Sequence, residues 1–226
     1  MRLSTIIILM RHGETSWNKK SLLQGRTDIP LCDKGREQAK TLSKALSSLS
    51  ISAIYSSPLS RALETAQILG IPHSITPKTS EGFTELNYGE WEGKSPETLR
   101  TNASKQYRQW LVDPKEVIVP ASERLSDVQL RVMKSFDSVV KENEGKLVAL
   151  VGHGGVNRVM LLSLLQADLG SFWRIRQDTT CLNLIELSDQ GPKISLMNWT
   201  AHSKSNYEQI IKEAMARVRI HAESND

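Results

Sequence analysis

Two apolar runs in this sequence end in the same way, in a histidine followed by a glycine. Residues 3–10 form an apolar, β-branched run that leads into His12, and residues 146–151 form a second run that leads into His153. Each run has the length and composition of a buried strand. If both strands are parallel members of one sheet, both histidines emerge at the edge where open α/β sheets bind their ligands.

Helical and strand patterns alternate along the rest of the chain. Ser57 and Pro58 predict an N-cap and a first helical position, since Pro is tolerated there. The apolar spacing predicts further strands over residues 53–56, 71–75, 182–187 and 193–199, the last two as a hairpin, and helices over residues 33–49, 58–69, 96–112, 125–142 and 156–165. This alternation predicts an α/β fold, a three-layer α/β/α sandwich with a mainly parallel central sheet.

No repeat or linker divides the sequence, so we predict one domain over residues 1–226. Residues 83–122 are less regular, and we expect them to cover the active site. Residues 206–220 place apolar side chains on one face of a helix, which predicts packing on the core or against a partner chain. We expect a monomer or a homodimer.

The charge pattern and the apolar pattern exclude several classes of protein. The net charge is +4, but no run of Lys and Arg exceeds two residues, so nucleic acid is not an expected partner. The longest apolar runs are far shorter than a bilayer span, so no membrane is expected. Cys32 and Cys181 lie far apart and are expected to be reduced thiols, which indicates a cytoplasmic enzyme.

A third predicted strand end adds an arginine to the two histidines. Arg61 lies in the first turns of the helix that follows residues 53–56, so Arg11 and Arg61 are expected to converge with His12 and His153. Two guanidinium groups beside two imidazoles suit a phosphate dianion, because Arg stays charged and matches phosphate oxygens with two donors. The helix N-termini after Ser57 and His153 are expected to add free amides.

The segments that carry these residues resemble the histidine phosphatase superfamily, which includes the phosphoglycerate mutases. The similar blocks follow the family's order and span nearly the whole chain, at residues 11–18, 24–31, 56–62, 85–93 and 151–155. The resemblance implies a phosphoglycerate mutase-like fold. One departure lies at residues 122–124, where this chain has Ser-Glu-Arg and the family often has Gly-Glu-Ser.

The resemblance also implies roles for the site residues. His12 is the implied nucleophile, which forms a phosphohistidine, and Glu85 is the implied proton donor. His153, Arg11 and Arg61 would stabilise the transferring phosphoryl group, without a metal or another cofactor. The implied substrate-binding residues are Arg11, His12, Asn18, Gln24, Gly25, Arg61, Glu85, His153 and Gly154.

Other residues near Glu85 are candidates for supporting roles. Glu81, Glu90 and Glu92 are rival carboxylates for the proton-donor role, and surface charge is the commoner role for such residues. Trp17, Tyr88 and Trp91 are candidates for the pocket walls, although aromatic residues beside a site are often part of the core.

The resemblance favours a hydrolase over a mutase. Only a short segment separates Glu85 from Glu123, and His153 is followed by Gly-Gly where the similar mutases have Gly-Asn. We therefore predict a phosphomonoesterase acting on a small phosphorylated molecule. Residues 172–178 are similar to α-ribazole phosphatases and to broad-specificity phosphatases, so α-ribazole 5′-phosphate and small phospho-acids are candidate substrates. A phosphoglycerate mutase is the alternative, and a non-catalytic protein that binds phosphorylated ligands is a weaker one.

Overall fold

The computed structural model describes residues 4–200. Within this range one sheet has the strand order β3-β2-β4-β1-β5-β6. Its strands are β1 (Thr5–Arg11), β2 (Ala53–Ser56), β3 (Lys78–Thr79), β4 (Leu147–Gly152), β5 (Leu182–Ser188) and β6 (Gly191–Trp199). The α-helices of this range are α1 (Ser16–Lys19), α2 (Asp33–Leu46), α3 (Ser60–Gly70), α4 (Pro96–Asn102), α5 (Ser104–Val112), α6 (Leu125–Glu142) and α7 (Gly154–Leu164).

The sheet is mainly parallel, as predicted. Strand β4 lies between β1 and β2 and pairs in parallel with both, and β3 pairs in parallel with β2. Strand β5 is antiparallel to β1, and β6 completes the predicted hairpin. The central strands β1 and β4 are buried along nearly their whole length, which explains why their sequences are continuous apolar runs.

Helices cover both faces of the sheet and complete the three-layer sandwich. Alternate residues of β1 point to opposite sides, so Ile7 and Leu9 belong to one apolar core and Ile8 and Met10 to the other. The first core contains side chains of α6 and α7, and the second contains side chains of α2 and α3. The predicted fold class is therefore confirmed.

The prediction of a strand over residues 71–75 was wrong. Residues Ile71–His73 form a 3-10 helix, and the edge strand β3 comes later in the chain. Pro72 offers no N–H group to a ladder, and Ser74 adopts a positive φ of 54°. Ile71 is 75% exposed, so its apolar side chain did not mark a buried strand.

Two helix starts differ from the prediction because their caps come from distant parts of the chain. Helix α3 begins at Ser60 and not at Pro58, and Asp28 accepts hydrogen bonds from the Ser60 amide and hydroxyl, each at 2.8 Å. Helix α7 begins at Gly154, two residues before the predicted start. Local sequence patterns cannot show a cap that a distant loop provides.

The predicted helix over residues 96–112 is divided in two. Ala103 leaves the helical region, with φ −127° and ψ 38°, and separates α4 from α5. No Gly or Pro marks this break in the sequence. The predicted C-terminal helix over residues 206–220 lies outside the described residues. In residues 4–200, no helix combines the length and apolarity that crossing a bilayer requires.

Candidate active site

The register of the two central strands brings the two histidines together. Arg11 of β1 is level with Gly152 of β4, so the next residue of each strand is a histidine at the same edge of the sheet. The rings of His12 and His153 have centroids 5.1 Å apart and are tilted by 60°. Both side chains are buried, with exposures of 2% and 0%. This convergence is the one that the strand ends predicted.

Arg61 is a fully buried guanidinium that contacts one of these histidines. Its Nε donates to Nδ1 of His153 at 3.2 Å, and its two Nη atoms donate to the carbonyl oxygens of Thr27 at 3.0 Å and Gly25 at 2.7 Å. Among residues 4–200, no carboxylate forms an ion pair with it. The guanidinium is therefore bound by an imidazole nitrogen and two carbonyl oxygens, which carry no charge, and its own charge remains available to a bound anion.

Arg11 supplies a second guanidinium from the end of β1. Its Nη1 donates to the carbonyl oxygen of Gln177 at 2.7 Å. Its Nε is buried and has no hydrogen-bond partner in the described part of the chain. An unsatisfied buried donor is costly, so this atom is suited to a ligand oxygen.

The hydrogen bonds assign opposite tautomers to the two neutral imidazoles. Nδ1 of His12 lies 2.7 Å from the carbonyl oxygen of Gly13, which can only accept, so the proton of His12 is on Nδ1 and Nε2 holds a lone pair. Nδ1 of His153 accepts from Arg61, so the proton of His153 is on Nε2. That Nε2 is buried and, within residues 4–200, has no partner. The pair therefore offers one nucleophilic nitrogen and one unsatisfied donor.

Burial and the neighbouring cations keep both rings neutral. The pKa of His12 is well below its usual value because the ring is buried, and the charges of Arg11 and Arg61 lower it further. The pKa of His153 is also well below its usual value, through burial first and then through Arg61. A protonated imidazole has no nucleophilic lone pair, so this electrostatic arrangement favours the reactive form.

Glu85 is held at the N-terminus of helix α7. Its Oε2 accepts from the amide of Gly155 at 3.0 Å, and its Oε1 accepts from the amides of Val156 at 3.0 Å and Leu86 at 2.8 Å. A Cβ on Gly155 would lie 2.6 Å from Oε1, so a larger residue at this position would displace the carboxylate from its present contacts. The expectation that these amides would be free for phosphate is corrected, because Glu85 occupies them.

The rival carboxylates differ from Glu85 in their surroundings. Glu81 and Glu90 are exposed to solvent. Glu92 accepts from the amides of Arg26, at 2.8 Å, and Thr27, at 2.9 Å, and therefore closes the loop that carries Gly25. Of these four carboxylates, Glu85 is the one that lines the pocket.

Asn18 and Gln24 present their amide groups to the same pocket. Oδ1 of Asn18 accepts from the Thr15 amide at 3.0 Å, and Oε1 of Gln24 accepts from the Thr15 hydroxyl at 3.0 Å. The oxygen atoms are thereby engaged, and both NH2 groups remain as donors. Gly25 adopts φ 56° beside them, where a Cβ would collide with Glu92.

One open pocket gathers most of the predicted site residues. His153 is the exception in the lining, and it contacts Arg61 and His12, which do line the pocket. The lining consists of Arg11, His12, Asn18, Leu22, Leu23, Gln24, Gly25, Arg61, Glu85, Tyr88, Gly154, Gly155, Arg158 and Trp173. Tyr88 is a wall as suggested, and burial raises the pKa of its phenol. Trp17 and Trp91 do not line the pocket.

Sequence reasoning missed several residues of this wall. Arg158 follows Gly154 by four positions on α7, and this helical spacing was the signal that could have placed it at the pocket. Trp173 reaches the wall from a 3-10 helix, where its Nε1 donates to the carbonyl oxygen of Trp110 at 2.7 Å. No local pattern marks that long-range contact.

Arg131 is a further missed residue, and it fixes the loop that carries Glu85. Its Nη1 donates to the carbonyl oxygens of Gly82 at 2.9 Å and Thr84 at 2.7 Å, and its Nη2 donates to that of Glu85 at 3.2 Å. Its Nε is paired with Glu123 at 2.9 Å. Burial acts to raise the pKa of Glu123, but the hydrogen bonds from Arg131 and the Asn87 amide, together with the charges of Arg131 and Arg26, lower it overall.

The model of the histidine phosphatase superfamily (branch 1) matches residues 7–200. The chain belongs to branch 1 of the histidine phosphatase superfamily. It is 31% identical over 196 residues to Phosphoserine phosphatase 1 of Hydrogenobacter thermophilus, which covers 87% of this chain and 93% of that protein.

Two further members of the superfamily support the same assignment. The Adenosylcobalamin/alpha-ribazole phosphatase of Salmonella typhimurium is 26% identical over 194 residues, covering 84% of this chain and 94% of that one. The solved structure of YhfR from Bacillus stearothermophilus superposes with a TM-score of 0.83 at 31% identity, covering 88% of this chain and 100% of that one. The chain is thus a phosphomonoester hydrolase of this superfamily.

The neutral histidines predict a pH dependence of stability. Below about pH 6.5 the unfolded chain binds protons at His12 and His153, whereas the folded chain, whose histidine pKa values are lowered, does not. The free energy of unfolding should therefore fall as the pH is lowered from about 7.5 to about 5.5, by at most about 1.4 kcal/mol per pH unit for each histidine. Urea unfolding at several pH values measures this slope.

The variant His12→Gln/His153→Gln supplies the control for that slope. It lacks both buried imidazoles, so its free energy of unfolding should depend less on pH in the same window. An equal slope in the variant and the natural protein would contradict the neutral-histidine account.

Proposed function

We propose that this phosphatase is a metal-independent phosphomonoesterase that acts through a phosphohistidine at His12 on a small phosphorylated metabolite. The observation that carries the proposal is the free lone pair on Nε2 of His12. The hydrogen bond from Nδ1 to the carbonyl oxygen of Gly13 fixes this tautomer, and Arg11 and Arg61 line the same pocket. An imidazole with this tautomer attacks phosphorus without losing a proton first.

In the first step, Nε2 of His12 forms a bond to phosphorus while the bond from phosphorus to the ester oxygen breaks. The transferring phosphoryl group carries its negative charge on three equatorial oxygens. Arg11, Arg61 and the Nε2–H of His153 donate to those oxygens, and the NH2 group of Asn18 adds a neutral donor. These fixed donors supply the stabilisation that a metal ion supplies in other phosphatases.

The leaving alkoxide takes its proton from Glu85. Oε2 of this carboxyl group accepts one backbone hydrogen bond and Oε1 accepts two, so Oε2 has the room for the transferable proton. In the second step, the Glu85 carboxylate accepts a proton from water, and the resulting oxygen attacks phosphorus and releases His12. Phosphate leaves, and both residues return to their starting states.

The substrate is a small phosphomonoester, with α-ribazole 5′-phosphate and phosphoserine as candidates that relatives' names support. We place the protein in the cytoplasm as a monomer or homodimer without nucleic-acid or membrane partners. Cys32 and Cys181 are both free thiols, which supports a reducing compartment.

Loss of the nucleophile tests the proposal. The purified protein should hydrolyse p-nitrophenyl phosphate in excess chelator, and His12→Ala should lower kcat by about 10³-fold or more, because the covalent route is lost. The absorbance of the released p-nitrophenol measures kcat for the natural protein and for the variant. His73→Ala, which removes a histidine outside the pocket, is the matched control and should retain the activity.

Two results, one from this assay and one from an assay with 3-phosphoglycerate, would overturn the proposal. Retained activity in His12→Ala would exclude the phosphohistidine route. Efficient isomerisation of 3-phosphoglycerate in the presence of 2,3-bisphosphoglycerate, with little phosphate release, would identify a mutase instead.

Arg131 gives a separate test of the role of Glu85. Arg131→Met should release the loop that carries Glu85, so an alkyl phosphate, whose leaving group needs a proton, should lose about tenfold more kcat/KM than p-nitrophenyl phosphate does. Arg131→Lys should recover part of the kcat/KM lost on the alkyl phosphate. Glu85→Gln should show the same dependence on the leaving group as Arg131→Met. Equal losses on both substrates would assign Arg131 a purely structural role.

A further inference from the structure

A third guanidinium lines the pocket, and the phosphoryl-transfer chemistry does not use it. Arg158 lies on α7 at the same pocket as Arg11 and Arg61. Among the described residues it forms no ion pair with a carboxylate. A half-buried cation without a counter-ion is costly unless a ligand or water compensates it.

The contacts of Arg158 fix the orientation of its guanidinium. Its Nε donates to the carbonyl oxygen of Ile175 at 2.6 Å, and its Nη1 makes a long contact of 3.4 Å to that of Gly154. Its Cζ lies 5.2 Å from the ring centroid of Phe172 and 5.1 Å from that of Trp173. A planar group held between these contacts loses little entropy when its remaining N–H donors bind a ligand.

Arg158 lies next to the phosphoryl-binding groups. An atom placed where a Cβ of Gly154 would be is 3.5 Å from Cζ of Arg11 and 3.6 Å from Nη1 of Arg158. The missing side chain of Gly154 therefore leaves a gap between two guanidinium groups. Burial lowers the pKa of Arg158, and the charge of Arg11 lowers it further, as expected for two cations that face one cavity. Guanidinium groups nevertheless stay charged in proteins.

We propose that Arg158 binds a second anionic group of the substrate, which makes phosphorylated small organic acids the preferred substrate class. This inference rests on the proposed phosphomonoesterase function. Arg61 and Arg11 would take the phosphoryl group, and Arg158 would take a carboxylate a few bonds away in the two-donor geometry that Arg offers. Leu22, Leu23 and Trp173 leave an apolar wall beside a short carbon chain.

Matched substrate pairs test this assignment. Phosphoserine carries a carboxylate that phosphoethanolamine lacks. In the second pair, 3-phosphoglycerate carries a carboxylate where glycerol 3-phosphate carries a hydroxymethyl group. The natural protein should hydrolyse the acid of each pair with a kcat/KM about tenfold higher or more, mainly through a lower KM. A fructose 1,6-bisphosphate and fructose 6-phosphate pair reports whether the second anion is a phosphate instead of a carboxylate.

Arg158→Met should lower the kcat/KM ratio of each acid to its partner by about tenfold or more, because the methionine keeps much of the apolar stem and removes the charge. Arg158→Lys should restore part of the ratio. Arg108→Met, which removes an exposed charge on α5 outside the pocket, is the matched control and should leave the ratios unchanged. Circular dichroism verifies that each variant is folded.

Each outcome supports or overturns the assignment. Unchanged ratios in Arg158→Met, no preference for the acids in the natural protein, or a preference for the bisphosphate or for α-ribazole 5′-phosphate would overturn it. If Arg158→Met instead shifts the dependence on the leaving group and leaves the ratios intact, Arg158 acts through Glu85 and the assignment is wrong. Failure to hydrolyse p-nitrophenyl phosphate would instead refute the underlying phosphomonoesterase function.

Discussion

The guanidinium of Arg61 is buried among neutral acceptors, and the chemistry of the site depends on its hydrogen bonds. Its bond to Nδ1 of His153 fixes one tautomer, and its bonds to Gly25 and Thr27 hold the loop that forms the pocket wall. Burial lowers the pKa of both His12 and His153, and the charge of Arg61 lowers each further. One buried cation thus orients a donor, shapes the pocket and helps to keep the nucleophile neutral. The energetic cost of burying it is partly offset by these three hydrogen bonds.

Two carboxylates and one arginine stabilise the loops around this centre. Glu92 binds backbone amides of the loop that Arg61 also contacts, and Arg131 binds backbone carbonyls of the loop that carries Glu85. Glu123 pairs with Arg131 and also accepts from the amide of Asn87 at 3.0 Å. The change of its neighbours to Ser122 and Arg124, relative to the family, leaves these contacts in place.

The sequence predicted the convergence of the main site residues because parallel strands place their carboxyl ends at one edge. His12 and His153 needed only the two apolar runs and the assumption of parallel order, which the β1–β4 register confirms. Arg61 needed a third strand end. Glu85 was predicted from the family resemblance and not from a spacing pattern. Its position depends on a hydrogen bond from the Gly155 amide, in a helix that is distant in the chain.

The shifted helix starts and the missed position of Trp173 share one physical cause, since each depends on contacts between distant segments. Helix α3 begins at Ser60 because Asp28 binds its first amide, and α7 begins at Gly154 while Glu85 binds its next two amides. Arg158 and Trp173 reach the pocket through packing against each other. Local periodicity cannot report such contacts, so the helix starts and the position of Trp173 required the structure, whereas the helical spacing from Gly154 could have placed Arg158.

The tautomer assigned to His12 is the central claim, and the covalent intermediate tests it most directly. Rapid quenching of turnover by Glu85→Gln with p-nitrophenyl phosphate, followed by peptide mapping and phosphorus NMR, identifies the residue and the nitrogen that carry the phosphoryl group. The account predicts an acid-labile phosphoryl group on Nε2 of His12. A phosphoryl group on Nδ1 of His12 or on another residue, or turnover without any covalent intermediate, would contradict it.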